Sequence, residues 1–319
     1  MTPFSFNKLV IFGVGLIGGS LARALRERGQ AAKGGTVIGV GRTRASVERA
    51  YELGVVDAVA ALDDDAELGA ALADADVIVL AAPVAQAAPL LALMAPFLGD
   101  ATLITDAGST KSDVVAAARA TLGSRIAQFV PGHPIAGRES SGVEAALADL
   151  YVGRNVVLCP LAENRADDVA RIEALWRASG AEVRTMSVEQ HDRVLASVSH
   201  LPHVLSYALV EQILGSPDAA LKFSFAAGGF RDFTRIAASS PEMWRDICLA
   251  NRHALIDELD AYTDVLARMR AAILAGDGAM LEALFARSRA ARTEWQERGA
   301  LPSQTSAASP RIPDDLAPK

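Results

Sequence analysis

At 319 residues, 51% of them hydrophobic, the chain has the length for two packed domains and the apolar content for a sizeable core. A net charge of −7, with no basic patch interleaved with aromatics, argues against a general nucleic-acid binder. No apolar run reaches membrane-spanning length, the first residues lack the basic-then-apolar pattern of a signal, and the two cysteines, Cys159 and Cys248, stand far apart, so a soluble cytoplasmic protein without a disulfide framework is expected.

A short apolar strand at residues 9–12 runs straight into Gly13-Val-Gly15-Leu16-Ile17-Gly18 and a helix start, which is the sequence of a dinucleotide-binding loop. Gly13 permits the turn, Gly15 lets a pyrophosphate approach the backbone, and Gly18 lets the helix pack on its strand. The N–H groups at Leu16 and Ile17 would then face the anion. The second strand, residues 37–40, ends without the carboxylate that holds the ribose of NAD. It offers instead Gly41, Arg42, Thr43 and Arg44, a set suited to a phosphate monoester, so NADP is favoured over NAD. The alternative is that both arginines are solvated and Arg42 stacks on adenine, which either cofactor accepts. Ala82 and Pro83, just past the strand at residues 77–81, complete the expected cofactor surface.

Further apolar runs at residues 103–105, 126–130 and 156–158 alternate with helical segments, which predicts an α/β, Rossmann-type parallel sheet wound on both faces. A helix over 165–179 and a strand over 182–185 close this domain, so its expected span is 1–187. Ser187-Val-Glu-Gln190 has the form of a capping box and opens an all-α domain, 188–300. Its first helix carries Val194, Val198, Leu201, Leu205 and Leu209 on one stripe, with a kink expected at Pro202. A second helix starts at Ser240-Pro241 and runs to about residue 274. Trp244, Ile247, Cys248, Leu255, Leu259, Tyr262, Leu266 and Ile273 along it exceed what one small domain covers, which points to a homodimer. The Pro-, Ser- and Ala-rich stretch 301–319 reads as a disordered tail.

Three polar clusters fall where ligands of such sheets bind or in the helical domain. They are Thr105-Asp106-Ala-Gly108-Ser109-Thr110-Lys111, then Pro131-Gly132-His133-Pro134-Ile-Ala-Gly137-Arg138-Glu139, then Ser199-His200-Leu-Pro202-His203 together with Gly228-Gly229-Phe-Arg231-Asp232-Phe-Thr234-Arg235. In that order and combination, over roughly residues 8–297, they resemble the prephenate/arogenate dehydrogenase family. The resemblance implies oxidation of the ring alcohol carbon of a cyclohexadienyl carboxylate by hydride transfer to nicotinamide, with loss of carbon dioxide and aromatisation, on the route to tyrosine.

That chemistry needs a group to take the hydroxyl proton as a carbonyl develops, and His133 suits it, since imidazole titrates near neutrality and such a base contributes about 10²–10⁴-fold. Pro134 restricts His133 to extended backbone, although a structural histidine at a turn would show the same dipeptide. Ser109 is placed to hydrogen-bond the same hydroxyl, or else to cap the helix that follows. Arg235 is the candidate clamp for the ring carboxylate, because a planar guanidinium matches a carboxylate bidentately. The resemblance puts His203 at the substrate side chain and Glu139 at the pocket mouth, and brings Trp244 across a dimer interface toward the partner's site; the alternatives are a surface pair of Glu139 with Arg138 and a core position for Trp244 near its helix start. His200, three residues before His203 on the same face, and Gly228 join the expected substrate set. No third ligand stands at a spacing that would make His200 and His203 a metal site, and none is expected.

Two rival readings share the architecture. A β-hydroxyacid dehydrogenase or imine reductase would carry a lysine or aspartate acid on the helix between domains, and residues 188–210 supply no lysine. A non-catalytic NADP-sensing module would leave Arg235 and the histidines without a role.

Overall fold

The computed structural model describes residues 4–138 and 140–300, which divide into a compact unit ending at Leu259 and a second unit from Asp260 onward. In the first unit, strands β1 (Phe6–Phe12), β2 (Ala31–Gly41), β3 (Ala58–Ala61), β4 (Val77–Leu80), β5 (Leu103–Asp106) and β6 (Phe129–Val130) form a parallel sheet in the order β3-β2-β1-β4-β5-β6. Helices α1 (Leu16–Glu27), α2 (Arg44–Glu52), α3 (Asp65–Leu72), α4 (Ala87–Met94) and α5 (Ser112–Leu122) connect the strands.

The sheet is covered on both faces because its central strands carry unbroken apolar runs, residues 9–12 of β1 and all four positions of β4. In β1, Leu9 and Ile11 point to one core with Leu21 and Leu25 of α1, while Val10 and Phe12 point to the other with Leu68, Leu72, Leu91 and Met94. Leu9 stands opposite Val37 on one side and Val77 on the other, so β1 is central and its carboxyl end opens at the point where strand order reverses.

The structure departs from the sequence expectations at several elements. The strand expected at 126–130 is paired only at Phe129 and Val130, because residues 123–128 wind into a 3₁₀ helix. The parallel sheet ends there: Pro131 has no N–H to extend the ladder, and the chain enters a second, three-stranded sheet of β7 (Gly132–Pro134), β8 (Asn155–Leu158) and β9 (Glu182–Thr185). In it β7 runs antiparallel to β8, and β8 parallel to β9, so the runs at 156–158 and 182–185 do not belong to the Rossmann sheet. The Ala-Val-Ala-Ala sequence of β3, poor in strand formers, gave no strand signal yet pairs with β2 throughout.

Helix α6 (Ala166–Ala178) precedes β9, and Ser187 caps α7 (Val188–Leu195) by accepting from the Gln190 N–H at 3.1 Å. Where a kink at Pro202 is expected, residues 196–200 form a π-helical turn leading into α8 (Leu201–Leu214). The wider turn accommodates the ring and the N–H it lacks. After α9 (Ala219–Ser224) and α10 (Gly228–Thr234), the helix expected from Pro241 to about 274 is two helices, α11 (Pro241–Ala250) and α12 (Arg252–Ala275), parted at Asn251. The Asn251 side chain is drawn into the interior, where it bonds Asp192 and His200, and the helix breaks at that residue. Trp244 and Ile247 on α11 bury against Val84 and Tyr207, while Leu266 and Ile273 further along the stripe are exposed. Helix α13 (Gly278–Ala300) belongs to the second unit. Among the described residues no helix is long and apolar enough to cross a membrane. Glu139 and the tail 301–319 lie outside the described residues.

Candidate active site

The glycine turn meets the stereochemical demands of a dinucleotide loop. Gly13 has φ +90°, and a Cβ there would stand 2.6 Å from the Ala81 carbonyl oxygen, so only glycine fits between β1 and β4. A Cβ on Gly18 would meet the Gly13 carbonyl and the Ile11 side chain, whereas one on Gly15 would meet nothing within 4 Å, which leaves the space a pyrophosphate needs. Helix α1 begins at Leu16 with neither a side-chain cap nor an acidic residue in its first turn, so its leading N–H groups, those of Leu16 and Ile17 among them, remain for an anion. Tyr151, fully buried, donates to the Ile17 carbonyl at 2.6 Å and packs edge-on against Trp176, which fixes that first turn. Ala82 and the exposed Pro83 follow β4 beside the turn.

At the end of β2, a cleft of about 400 Å³ is lined by Gly41, Arg42, Thr43 and Arg44 on one side and by Asp63 and Asp64 on the other. Arg42 is exposed. Thr43 caps α2, its hydroxyl accepting from the Ser46 N–H at 3.4 Å. The Arg44 guanidinium is engaged elsewhere, donating to both oxygens of Glu67 at 2.7 and 2.9 Å. Asp64 is likewise committed, accepting from the N–H groups of Ala66 and Glu67 at the start of α3.

Asp106 organises the next edge of the sheet. Its carboxylate accepts from Gly108 N–H at 2.9 Å and Gly132 N–H at 3.0 Å and pairs with the Lys111 ammonium, which also donates to the Gly132 carbonyl at 2.8 Å. Lys111 is 0% exposed. This buried pair ties the loop carrying the half-buried Ser109 to the start of β7, and therefore sets where His133 stands.

His133 is 8% exposed and lies opposite Val157 in β8. Its Nδ1 is 2.9 Å from His191 Nε2, with the ring planes inclined at 63°, and His191 Nδ1 is 2.8 Å from an Asp192 oxygen. Asp192 also accepts from the N–H groups of Lys111 and Ser112, each at 2.8 Å, at the N-terminus of α5. Burial alone would raise the Asp192 carboxyl, but hydrogen bonds from His191, Ser112 and Lys111 bring it down to about 2. Burial pushes the His133 imidazole well below its ordinary range, and the nearby His191, Lys111 and His200 push the same way.

The helical side presents His203 stacked on Trp244 of the same chain, centroids 3.5 Å apart, where the resemblance leads one to look for a partner's tryptophan. His203 Nδ1 donates to the Ser199 carbonyl at 2.9 Å, which leaves Nε2 as the outward atom. His200 sits behind this stack at 1% exposure. Its Nδ1 accepts from the Asn251 amide at 3.1 Å, and burial takes its pKa down to about 4. Asn251 also donates to the Asp192 carbonyl at 2.7 Å, joining α7 to the α11–α12 break. Arg235 is exposed in the 3₁₀ turn after α10, which Gly228 opens, and its charge reaches His203. The sequence pattern singles out His133, Ser109, His203, Trp244 and Arg235 and gives no role to Asp106, Lys111, His191, Asp192 or Asn251. Asp106 and Lys111 stand within the polar cluster 105–111, while the adjacent His191-Asp192 carries no spacing signal of its own.

Comparison with known proteins places the chain in one family. Residues 21–185 match the family model described as "Prephenate dehydrogenase, nucleotide-binding domain", and residues 187–287 match "Prephenate dehydrogenase, dimerization domain". The chain is 37% identical to a cyclohexadienyl dehydrogenase of Zymomonas mobilis over 90% of its own length and 95% of that protein. It is 35% identical to a prephenate dehydrogenase of Bacillus subtilis, over 93% of this chain and 79% of the relative. Its fold is similar to the crystal structure of Aquifex aeolicus prephenate dehydrogenase in complex with hydroxyphenyl propionate and NAD⁺, with TM-score 0.84 and 33% identity, covering 91% of this chain and 99% of that one.

Asp192 makes the site's stability pH-dependent. Its folded pKa of about 2 lies below the ordinary value near 3.8, so its contribution is present above about pH 4 and is lost as pH falls toward 2. In chemical unfolding, the stability advantage of the wild type over Asp192→Asn should shrink by about 2 kcal/mol between pH 5 and pH 2. An advantage independent of pH would mean that the carboxylate is not held ionised.

Proposed function

This chain belongs to the prephenate dehydrogenase family, and on that premise we propose that it oxidises prephenate, arogenate or both by hydride transfer to a nicotinamide nucleotide, with loss of carbon dioxide and aromatisation, in tyrosine biosynthesis. The observation that carries this reading is the placement of His133: a buried imidazole on the short strand beside the β5 loop, its Nδ1 engaged inward and its Nε2 left for a substrate.

The glycine turn at Gly13, Gly15 and Gly18, with the N–H groups at Leu16 and Ile17 and the surface of Ala82 and Pro83, fits a dinucleotide, and a bound nicotinamide supplies the hydride acceptor. His133 Nε2 takes the hydroxyl proton of the substrate as the carbonyl develops, and Ser109 orients that hydroxyl. The depressed pKa keeps His133 neutral at physiological pH, which is the state a base requires. Arg235 grips the ring carboxylate until it leaves as carbon dioxide, its bond pair completing the aromatic ring, and His133 returns the proton to the phenolic oxygen. His203 meets the substrate side chain through Nε2, backed by Trp244, with Gly228 at the start of α10 lining the same face. His200 supports this face from behind.

NADP is the favoured cofactor. Exposed Arg42 and the N-terminus of α2, which has no acidic residue in its first turn, suit a 2′-phosphate, with Gly41 and Thr43 shaping the cleft. Arg44, held by Glu67, serves as a wall of that cleft. NAD is the second reading, supported by the Asp63 carboxylate lining the opposite side. We further propose a cytoplasmic homodimer, with the cofactor domain ending at residue 187 and the helical domain, 188–300, dimerising through its exposed apolar side chains, Phe225, Leu266 and Ile273 among them.

A steady-state assay crossing prephenate and arogenate against NAD and NADP tests the reaction itself. His133→Asn should lower kcat by at least about 10²-fold with cofactor affinity little changed, and unimpaired turnover would remove His133 from the mechanism. Arg235→Gln should act on binding, raising KM for either acid about ten- to a hundredfold; unchanged Michaelis constants would rule out the clamp. Arg42→Ala should raise KM for NADP about tenfold while leaving that for NAD within about twofold, and equal effects on both would assign Arg42 to the adenine.

A further inference from the structure

His133 has a task in the proposed reaction, but the two buried groups behind it have none. His191 is 0% exposed and the Asp192 side chain 7%, and together with His133 they form an unbroken line: His133 Nδ1 to His191 Nε2 at 2.9 Å, His191 Nδ1 to Asp192 at 2.8 Å. Proton accounting assigns every nitrogen on that line. Asp192, receiving the Lys111 and Ser112 N–H groups at the helix N-terminus, is an ionised acceptor, so His191 Nδ1 donates to it. A neutral His191 then has a bare Nε2, which only a proton on His133 Nδ1 can satisfy. The lone pair of His133 is therefore on Nε2, the nitrogen that faces away from this line. Free histidine prefers the opposite tautomer.

We propose that His191 and Asp192 are a positioning pair that holds His133 in its Nδ1–H form, aims Nε2 at the substrate hydroxyl, and stabilises the imidazolium that forms when His133 takes that proton. The hydroxyl O–H bond breaks, an N–H bond forms at Nε2, and the positive charge is shared with His191 in front of the Asp192 carboxylate. Asp192 itself stays ionised, because the α5 N–H groups hold its charge. The charged and titratable groups facing His133 are His191 and Asp192 from α7, Lys111 with its partner Asp106 from the β5 loop, and His200, tied to Asn251. Lys111 opposes protonation of His133, as does positive charge on His191 or His200; Asp106 offsets Lys111, and the bare His191 Nε2, backed by Asp192, favours the imidazolium as a hydrogen-bond acceptor.

The assignment rests on His133 being the base, so the test has one arm that does not depend on turnover. With ring-¹⁵N histidine, the chain's five imidazoles are resolved spectroscopically, and His133 is identified by loss of its signal in His133→Asn. The wild type should show His133 protonated at Nδ1 and bare at Nε2, and His191→Phe should move it toward the Nε2–H form. In kinetics, His191→Phe should lower kcat at least about tenfold and shift the acidic limb of log kcat to lower pH, since the imidazolium loses its acceptor, while cofactor affinity stays within about twofold. His191→Gln, which keeps an acceptor facing His133, should recover most of that loss, and His191→Asn, which reaches only toward Asp192, should not. His133 protonated at Nε2 in the wild type, a kcat for His191→Phe within about twofold of wild type, or equal losses in the Gln and Asn variants would overturn the pair. The expected tautomer in a protein that turns over neither prephenate nor arogenate would leave the pair standing and reject the reaction.

Discussion

A single buried carboxylate holds the site together. Asp192 receives the leading N–H groups of α5 from the sheet side, the His191 ring from its own helix and, through its backbone carbonyl, the Asn251 amide from the junction of α11 and α12. Burying a charge costs several kcal/mol unless it is fully hydrogen-bonded, and the bonds to this carboxylate come from the start of α5 and from α7, while the backbone carbonyl of the same residue takes the Asn251 amide. Satisfying the carboxylate fixes α7 against α5, and the carbonyl of the same residue ties the α11–α12 break to them. The histidines hang on this junction: His133 through His191, and His200 through Asn251.

A second buried charge pair, Asp106 with Lys111, does the same work one strand over. Both are nearly inaccessible to solvent, and their remaining valences go to backbone groups at Gly108 and Gly132. Such pairs contribute little net stability relative to apolar residues of the same shape, but breaking one partner leaves an uncompensated charge. Their value here is positional. The pair fastens the Ser109 loop to the first residue of the strand bearing His133, and a Cβ on Gly132 would stand 2.9 Å from the Asp106 carbonyl, so the fastening tolerates no bulk.

How much of this was legible in the sequence follows from whether each feature is governed by neighbours in the chain or by distant ones. The glycine turn, the Ser187 cap and the central strands obey local rules of turn chemistry, capping and apolar periodicity, and the structure has them where those rules put them. The β3 strand was not legible because its alanines carry no strand preference; pairing with β2 overrides propensity. The transfer of β8 and β9 to a second sheet was not legible either, since Pro131 ends one ladder without announcing the next. The break at Asn251 has a nonlocal cause, the groups its amide reaches 59 and 51 residues away along the chain. The same holds for Arg44: its composition suits a phosphate, but a carboxylate from α3 reaches it first.

Desolvation shapes what the site can do chemically. Burial and the Lys111 charge make His133 a weaker base than a solvated imidazole, which lowers its driving force for taking a proton. In the proposed reaction that weakness is tolerable, because the proton moves as hydride departs and the hydroxyl oxygen, on its way to becoming a carbonyl, grows steadily more acidic. Carbon dioxide release and aromatisation then draw the sequence forward, so a base strong enough to ionise the alcohol beforehand is unnecessary. What the site requires is a lone pair that is neutral, correctly oriented and kept from water at the moment the carbon–hydrogen bond opens. A buried ring whose other nitrogen is engaged by His191 provides all three.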